Sequence, residues 1–203
     1  HKKTRHAVTT PIIWRVGRSG GLVHLWISTV INYSIQNKKT PEVYHSNSEC
    51  VGLDRSDIQR LVEIANRNDS KRARFCVHQS SEDLLHEMFI VHPKDIYVRP
   101  HMHRQNAESL LVLDGEADYV TFNEEGEIEN KILMGDYTSG YQFYQNTAPG
   151  VFHTILVRTE WLVFLECTLG PFNKDDMVYP NWSPAGSDTD EVNMYVSQLL
   201  KNC

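Results

Sequence analysis

Apolar and polar residues alternate in short segments between residues 75 and 168, and turn residues separate these segments. A period of two is typical of β-strands with one buried face, and Gly, Pro, Asn and Asp clusters mark the turns between them. Eight such segments without intervening helices predict two packed sheets, as in a jelly-roll barrel. The predicted strands are 85–91, 95–101, 109–113, 117–122, 128–133, 142–144, 151–157 and 161–166.

Helical periodicity occurs only on either side of this β region. Apolar residues at i, i+3, i+4 and i+7 predict one helix before the strands and another after them. Ser56 and Gln59 have the spacing of a capping box, so the first helix is predicted to begin there and to end within 66–70. The two apolar stripes are Ile58, Leu61, Val62 and Ala65, and Val192, Tyr195, Val196 and Leu199.

These elements predict a mainly β protein with one barrel. A chain of 203 residues is long enough to bury a sizeable core as a single domain. The expected divisions are an N-terminal arm at 1–41, a helical lead-in at 42–74, the barrel at 75–184 and a C-terminal helix at 185–203.

The net charge of −6 is divided unevenly along the chain. Residues 1–41 contain seven basic and no acidic residues, whereas the rest contains 13 basic and 26 acidic residues. This arm has three open interpretations: an added or swapped edge strand, a disordered or non-native extension, or an arm that binds an anionic surface. Its apolar segment at 22–31 is too short to span a bilayer and lacks the features of a signal peptide.

Four scattered cysteines without a Cys-x-x-Cys pair are typical of reduced thiols, so we expect a cytoplasmic protein. The basic run 71–74 lies in an acidic body and is better explained as the entry to a strand than as a nucleic-acid patch. We therefore expect no nucleic-acid partner and no membrane span.

The candidate chemistry lies where strands meet. His101 and His103 are two residues apart in a predicted strand, so their side chains share one face. Glu108 begins the next strand, and His153 follows a Pro-Gly turn. Three imidazoles and one carboxylate suit a divalent transition metal such as Fe, Mn, Ni, Co or Zn. The sequence predicts one such ion per chain, held by these four residues.

The order His-x-His-x4-Glu-x6-Gly, followed by Gly-x-x-His, resembles the two cupin motifs. Surrounding segments narrow the resemblance to the WbuC family of cupin-fold metalloproteins. It implies a single cupin double-stranded β-helix, a homodimer and a role in bacterial surface-polysaccharide (O-antigen) biosynthesis. The segments that carry it are 72–74, 85–88, 97–101, 135–137, 152–154, 170–172 and 182–184.

Two further residues are candidates for catalysis. Arg99 would share the face of the two histidines, and its cation would meet either an anionic ligand or an internal acid, Glu166 or Glu87. Tyr144 is a candidate proton donor, although barrel aromatics such as Tyr144 and Tyr119 more often serve as packing.

Three aromatic residues could form a stacking wall over the mouth of the barrel or a hydrophobic plug under the C-terminal helix. These residues are Phe172, Tyr179 and Trp182.

These features favour a metal-dependent enzyme acting on a small polar substrate, such as a sugar or nucleotide-sugar, in an isomerisation or epimerisation. An iron(II)-dependent dioxygenase and a non-catalytic metabolite-binding protein are the alternatives. A proton-transfer group near the metal would favour catalysis over binding. The chain has no phosphate-binding glycine loop and no Gly-x-Ser-x-Gly element, which argues against nucleotide hydrolysis and serine hydrolase chemistry.

Overall fold

A computed structural model describes residues 42–46 and 48–201, and the predicted arm at 1–41 lies outside this range. The described chain is built around two sheets in which most neighbouring strands are antiparallel. The six strands of the larger sheet are, in spatial order, β1 (Val43–His45), β2 (Ala73–Cys76), β3 (Leu85–Pro93), β10 (Trp161–Leu169), β5 (Glu108–Asp114) and β8 (Tyr144–Thr147). The smaller sheet has the order β7 (Ile128–Gly135), β6 (Glu116–Phe122) and β9 (Phe152–Val157). A short ribbon pairs β4 (Met102–His103) with β11 (Met177–Val178).

The main core lies between the two sheets. Leu110 and Phe164 from the larger sheet belong to the same buried cluster as Tyr119, Met134 and Ile155 from the smaller one. Full burial of each such side chain contributes about 1.5–3 kcal/mol to folding. The fold is therefore the predicted mainly β architecture of two packed sheets, although the sheets face each other without joining into one closed barrel.

The first helix, α1 (Arg55–Arg67), packs on the outer face of the larger sheet through Leu61 and Ala65. Its start differs from the prediction, because Asp54 is the N-cap and accepts hydrogen bonds from the backbone of Ser56 and Asp57. The Asp57 carboxylate accepts the Asp54 N–H in return, which completes the capping box. The predicted Ser56–Gln59 box is wrong because an aspartate two residues earlier satisfies the exposed N–H groups.

The second helix, α2 (Thr189–Lys201), covers the smaller sheet from outside. Leu199 is buried with Val120 and Phe122, and Tyr195 and Val196 pack beside it. The apolar stripe predicted for this helix therefore packs on a sheet of the same chain.

The predicted strand at 95–101 is not formed. Tyr97 donates its hydroxyl proton to the carbonyl of Pro184, and Pro100 has no N–H to offer a neighbouring strand. Within the segment only His101 forms a bridge, with His153. Conversely, β1 and β2 have no counterpart in the predicted set, because strands of three and four residues are too short to show a clear alternation.

Candidate metal centre

Backbone pairing brings the two histidine segments together. The N–H of His101 donates to the carbonyl of His153 at 3.0 Å, and the N–H of His153 donates back at 2.9 Å. His103 follows on β4, and its ring centroid lies 5.5 Å from that of His101. The motif histidines thus meet because an extended segment joins the start of β9, rather than because residues 95–101 form a long strand.

Glu108 completes the cluster from the inner face of β5. One ligand atom from each of His101, His103, Glu108 and His153 can be chosen so that all four atoms lie within 4.8 Å of one another. Glu108 and His153 are buried, and the other two are half-buried. All four predicted ligands therefore lie together, with donor atoms close enough for one ion to contact each of them.

The rings are oriented by carbonyl groups two residues earlier in the chain. Nδ1 of His101 donates to the carbonyl of Arg99, and Nδ1 of His153 donates to that of Val151, both at 2.9 Å. This leaves the Nε2 lone pairs of both rings facing the cluster, which is the usual arrangement of metal-bound histidines. Nε2 of His153 is buried without a hydrogen-bond partner, so an ion would satisfy an otherwise costly group.

His103 is held between two carboxylates. Its Nε2 lies 3.2 Å from Oε2 of Glu108, and its Nδ1 lies 3.4 Å from Oδ2 of Asp176. Asp176 is buried at the end of the short 3-10 helix Lys174–Asp176 and also accepts the N–H of Gln105 at 2.8 Å. No sequence pattern predicted a role for Asp176, because it lies 73 residues beyond His103 and belongs to no recognisable spacing.

We expect Asp176→Asn to weaken metal binding by about 10–100-fold, the usual effect of removing a carboxylate that supports a histidine ligand. The loss follows because the amide leaves His103 less basic and less firmly oriented. Competition with a chromophoric chelator measures the dissociation constant. Asp175→Asn, at an exposed neighbouring position, should leave it unchanged, and equal effects of the two substitutions would contradict the assignment.

The charges of the cluster suit a cation. Burial raises the pKa of Glu108, but the hydrogen bond from His103 and the nearby rings of His153 and His101 outweigh it and hold that pKa well below its usual range. Burial, together with His153, lowers the pKa of His101 to about 4. The hydrogen bond to Glu108 raises the pKa of His103. At neutral pH the carboxylate is charged and His101 is neutral.

Metal affinity should fall on acidification chiefly through His103, because its pKa is raised while that of His101 is lowered. Below the pKa of His103 the ion must displace one proton, so affinity should drop about tenfold per pH unit. Above that pKa the affinity should be constant. Metal titrations at pH values between about 5 and 8 test this. In Asp176→Asn the decline in metal affinity should move to lower pH, because Asp176 helps to raise the pKa of His103. A flat profile in the wild type would exclude His103 as the titrating ligand.

Tyr119 supports His153 from the core. The two rings stack with centroids 5.5 Å apart and planes inclined by 12°, and the Tyr119 hydroxyl lies 2.6 Å from Oγ1 of Thr147. Burial raises the pKa of Tyr119 far above its usual value. Tyr119 is therefore a packing residue that positions a ligand, in agreement with the packing interpretation.

A cavity of about 410 Å³ opens beside the cluster, and a smaller one of about 50 Å³ adjoins it. His101 and Glu108 line both cavities, and His153 lines the smaller one. Phe172 and Tyr179 line the larger cavity, as the stacking-wall interpretation expected.

Trp182 has a different position. Its ring packs against Phe122 and Phe152, so it belongs to the hydrophobic plug near α2. Phe172 and Tyr179 thus fit the predicted stacking wall, and Trp182 fits the predicted hydrophobic plug.

Arg99 lines the larger cavity, but neither predicted acid pairs with it. Its guanidinium donates to Oγ of Ser183 and to the carbonyls of Pro180 and Ser183, at 3.0–3.2 Å, and lies 4.9 Å from the ring centroid of Tyr179. These partners are neutral, so the positive charge of Arg99 is uncompensated by any anion in the described part of the chain.

Tyr144 does not reach the cluster. It lies on the edge strand β8, is 47% exposed and donates its hydroxyl proton to Oγ of Ser109. Neither cavity beside the cluster is lined by Tyr144. The expectation that Tyr144 acts at this site is corrected, because strand alternation places its side chain on the outer face of the sheet, with Ser109.

Glu166 lies on the inner face of β10, in register with Leu110 and Met88, and lines both cavities. Its side chain forms no ion pair or hydrogen bond with the residues described here. Burial, reinforced by the charge of Glu108, raises the pKa of Glu166 to about 8. Glu166 was predicted only as a possible partner for Arg99, whereas the structure places it as a titratable group beside the cluster.

One family model matches part of the sequence. The model of a domain of unknown function, DUF6016, matches residues 53–134, which is less than half of the chain. No curated protein matches the sequence. Among the helices that the structure describes, none is long and apolar enough to cross a membrane.

Several solved structures are similar at low identity. Protein SO0799 from Shewanella oneidensis is 12% identical, with a TM-score of 0.46, and the match covers 60% of this chain and 82% of that one. Capsular polysaccharide assembling protein CapF from Staphylococcus aureus is 14% identical, with a TM-score of 0.44, over 56% of this chain and 32% of that one. A mutant of Bacillus subtilis oxalate decarboxylase OxdC is 15% identical, with a TM-score of 0.39, over 48% and 24%. The matched region is thus a minor part of the last two proteins.

Proposed function

We propose that the chain binds one divalent transition metal through His101, His103, Glu108 and His153. The single observation that carries this proposal is the closeness of the four ligand atoms, all within 4.8 Å of one another. The unpartnered Nε2 of His153 and the adjoining cavity of about 50 Å³, which has room for an ion and water, support it. Iron, manganese, nickel and zinc all accept this combination of nitrogen and oxygen ligands.

The ligand of the larger cavity is proposed to be small, polar and anionic. A volume of about 410 Å³ is in the range of small-molecule sites. Arg72, Arg74 and Arg99 line the same cavity, and Arg99 has only neutral partners. A phosphate or carboxylate on the ligand would supply the missing anion, since guanidinium groups bind both in a bidentate manner. A nucleotide-sugar or an acidic sugar has this chemistry.

Glu166 is proposed to transfer a proton during isomerisation or epimerisation of that ligand. A carboxyl group whose pKa lies near neutrality can both accept and return a proton at the working pH. When bound, a divalent ion supplies Lewis acidity that polarises a carbonyl oxygen and acidifies the adjacent C–H. Glu166 would take that proton and return it to the same or a neighbouring carbon, while Arg99 would hold the anionic group.

The finer parts of this proposal rest on the sequence. The relation to the WbuC family and a role in surface-polysaccharide biosynthesis are supported by the motifs around His101 and His153. A homodimer follows from the same resemblance, and a cytoplasmic location from the isolated cysteines. The divisions at 1–41, 42–74, 75–184 and 185–203 are proposed on the same footing.

Solvent deuterium exchange tests the proton transfer. Metal-loaded protein is incubated in D₂O with a panel of keto-sugars, aldoses and nucleotide-linked sugars, and mass spectrometry follows the gain of deuterium on carbon. We expect exchange with at least one anionic member of the panel. Glu166→Gln should slow exchange by about 100-fold or more while metal content is retained. The matched control is Glu87→Gln, because Glu87 lies on the face of the larger sheet opposite to Glu166. This variant should incorporate deuterium at the wild-type rate.

Two other results would contradict the isomerase proposal and support one of its alternatives. Oxygen consumption without deuterium gain would establish the iron(II)-dependent dioxygenase alternative. Ligand-induced thermal stabilisation with neither exchange nor oxygen uptake would establish a non-catalytic metabolite-binding protein.

A further inference from the structure

A second group of metal-binding side chains lies at the other end of the larger sheet. His45 ends β1 and Cys76 ends β2, and the two residues are paired in the sheet register. His78 follows two residues after Cys76. One nitrogen from each ring and the Cys76 Sγ lie within 4.8 Å of one another. None of these residues belongs to the cluster around Glu108.

Backbone carbonyls orient both rings. Nδ1 of His45 donates to the carbonyl of His78 at 3.2 Å, and Nδ1 of His78 donates to the carbonyl of Glu87 at 3.3 Å. A carbonyl oxygen can only accept a hydrogen bond, so both rings carry their proton on Nδ1 when neutral. The Nε2 lone pairs are left for another partner, as in histidines that bind metals.

The surroundings of His78 and Cys76 affect their protonation. Burial, with His86 and His45 nearby, lowers the pKa of His78 to about 4, so no proton competes for its lone pair at neutral pH. Cys76 is 2% exposed, and burial raises the pKa of its thiol to about 11. An ion would therefore have to displace the thiol proton when it binds.

A third imidazole adjoins the group. The ring of His86 stacks on that of His78 with centroids 4.1 Å apart and planes inclined by 9°. Nε2 of His86 is buried without a hydrogen-bond partner. Gly170 makes room for this ring, since a Cβ at that position would lie 2.7 Å from Nε2. A buried imidazole nitrogen without a partner is costly unless a ligand satisfies it.

We propose that His45, Cys76 and His78 form a second metal site, specific for a thiolate-binding ion such as Zn²⁺ or Cu⁺. A thiolate with two imidazoles favours such soft or borderline ions over the harder ions that a carboxylate-containing site accepts. Binding replaces the S–H bond by a metal–sulfur bond and releases one proton to solvent. The fourth position of a tetrahedral ion is left for water.

The bound ion would tie the edge strand β1 to β2 and to the turn beyond it. β1 has three residues and pairs only with β2 among the described strands. The site is therefore structural, and it fastens the edge strand β1 to the rest of the sheet.

Cobalt(II) distinguishes this site from the first, because only this one contains sulfur. Chelator-treated, reduced protein is titrated with Co²⁺ under anaerobic conditions, and the sulfur-to-cobalt charge-transfer absorption in the near ultraviolet is recorded. We expect the band to reach its maximum when about one Co²⁺ ion per chain occupies this site. Cys76→Ser should abolish it, whereas Cys50→Ser, at an exposed free thiol, should retain it.

Glu108→Ala should also retain the band, so failure of the first metal centre leaves this test intact. His45→Ala is a second test in case Cys76→Ser does not fold, because His45 lies on a half-buried edge strand. It should weaken Co²⁺ binding at this site by about tenfold or more. No band in the wild type, or an undiminished band in a folded Cys76→Ser or His45→Ala variant, would overturn the proposal.

Discussion

Glu108→Ala is expected to lower metal affinity by more than about 100-fold, beyond the loss expected when only a supporting carboxylate is removed. Glu108 is the single anionic ligand of its cluster, and its carboxylate lies within 3.2 Å of His103 and 3.7 Å of His153. Without it, an ion would contact three imidazole rings and no anionic ligand in a buried site. Calorimetric titration of chelator-treated protein measures the affinity.

The matched control for this substitution lies on the same strand. Asp114 is the exposed last residue of β5, so Asp114→Ala removes a carboxylate without touching the cluster. Its affinity should equal that of the wild type. Comparable affinities of the Glu108→Ala and wild-type proteins would show that the ion binds elsewhere.

Tyr119→Ala is expected to destabilise the fold by about 3–5 kcal/mol, the usual cost of removing a large buried aromatic side chain. The Tyr119 ring is 2% exposed, lies in the core between the two sheets and stacks on His153. Its loss would therefore leave a cavity and also release a metal ligand. Urea denaturation of metal-free protein measures the free energy of unfolding.

Tyr119→Phe separates packing from hydrogen bonding. The variant keeps the stacked ring and loses only the 2.6 Å contact with Thr147, so it should cost about 1 kcal/mol and leave metal affinity unchanged. A loss of several kcal/mol in Tyr119→Phe would mean that the hydroxyl, rather than the ring, supports the site.

The sequence predicted the fold class and the grouping of the four ligands because both depend on local patterns. Alternation marks strands, and His101, His103 and Glu108 lie within eight residues at a turn between strands. His153 joined them through a recognisable spacing rather than through any physical calculation of distance.

Features that depend on long-range packing were missed. Asp176 reaches His103 only because β11 pairs with β4, and nothing in the local sequence specifies this pairing. The strand expected at 95–101 is replaced by contacts of Tyr97 and Arg99 with the loop before α2. Tyr144 was chosen by residue type, but the sheet register decides that it faces outward.

The position of Glu166 favours the proposed catalytic function over the alternative of a non-catalytic binding protein. A proton-transfer group near the ion is the criterion that separates the two, and Glu166 lines both cavities that His101 and Glu108 line. The rest of the larger cavity's wall includes Met88, Ile90 and other apolar side chains. A carboxyl group with a raised pKa in a cavity that also contains charged partners is typical of acid–base sites.

The most direct test of the metal centre is anomalous X-ray diffraction from crystals of protein purified without chelators, recorded on both sides of the absorption edge of the metal found in the sample. The account predicts one peak per chain among His101, His103, Glu108 and His153, about 2.0–2.3 Å from the ligand atoms. A peak at His45, Cys76 and His78 would be separate and would not affect this result. A metal-containing crystal with no peak among the first four residues would contradict the account.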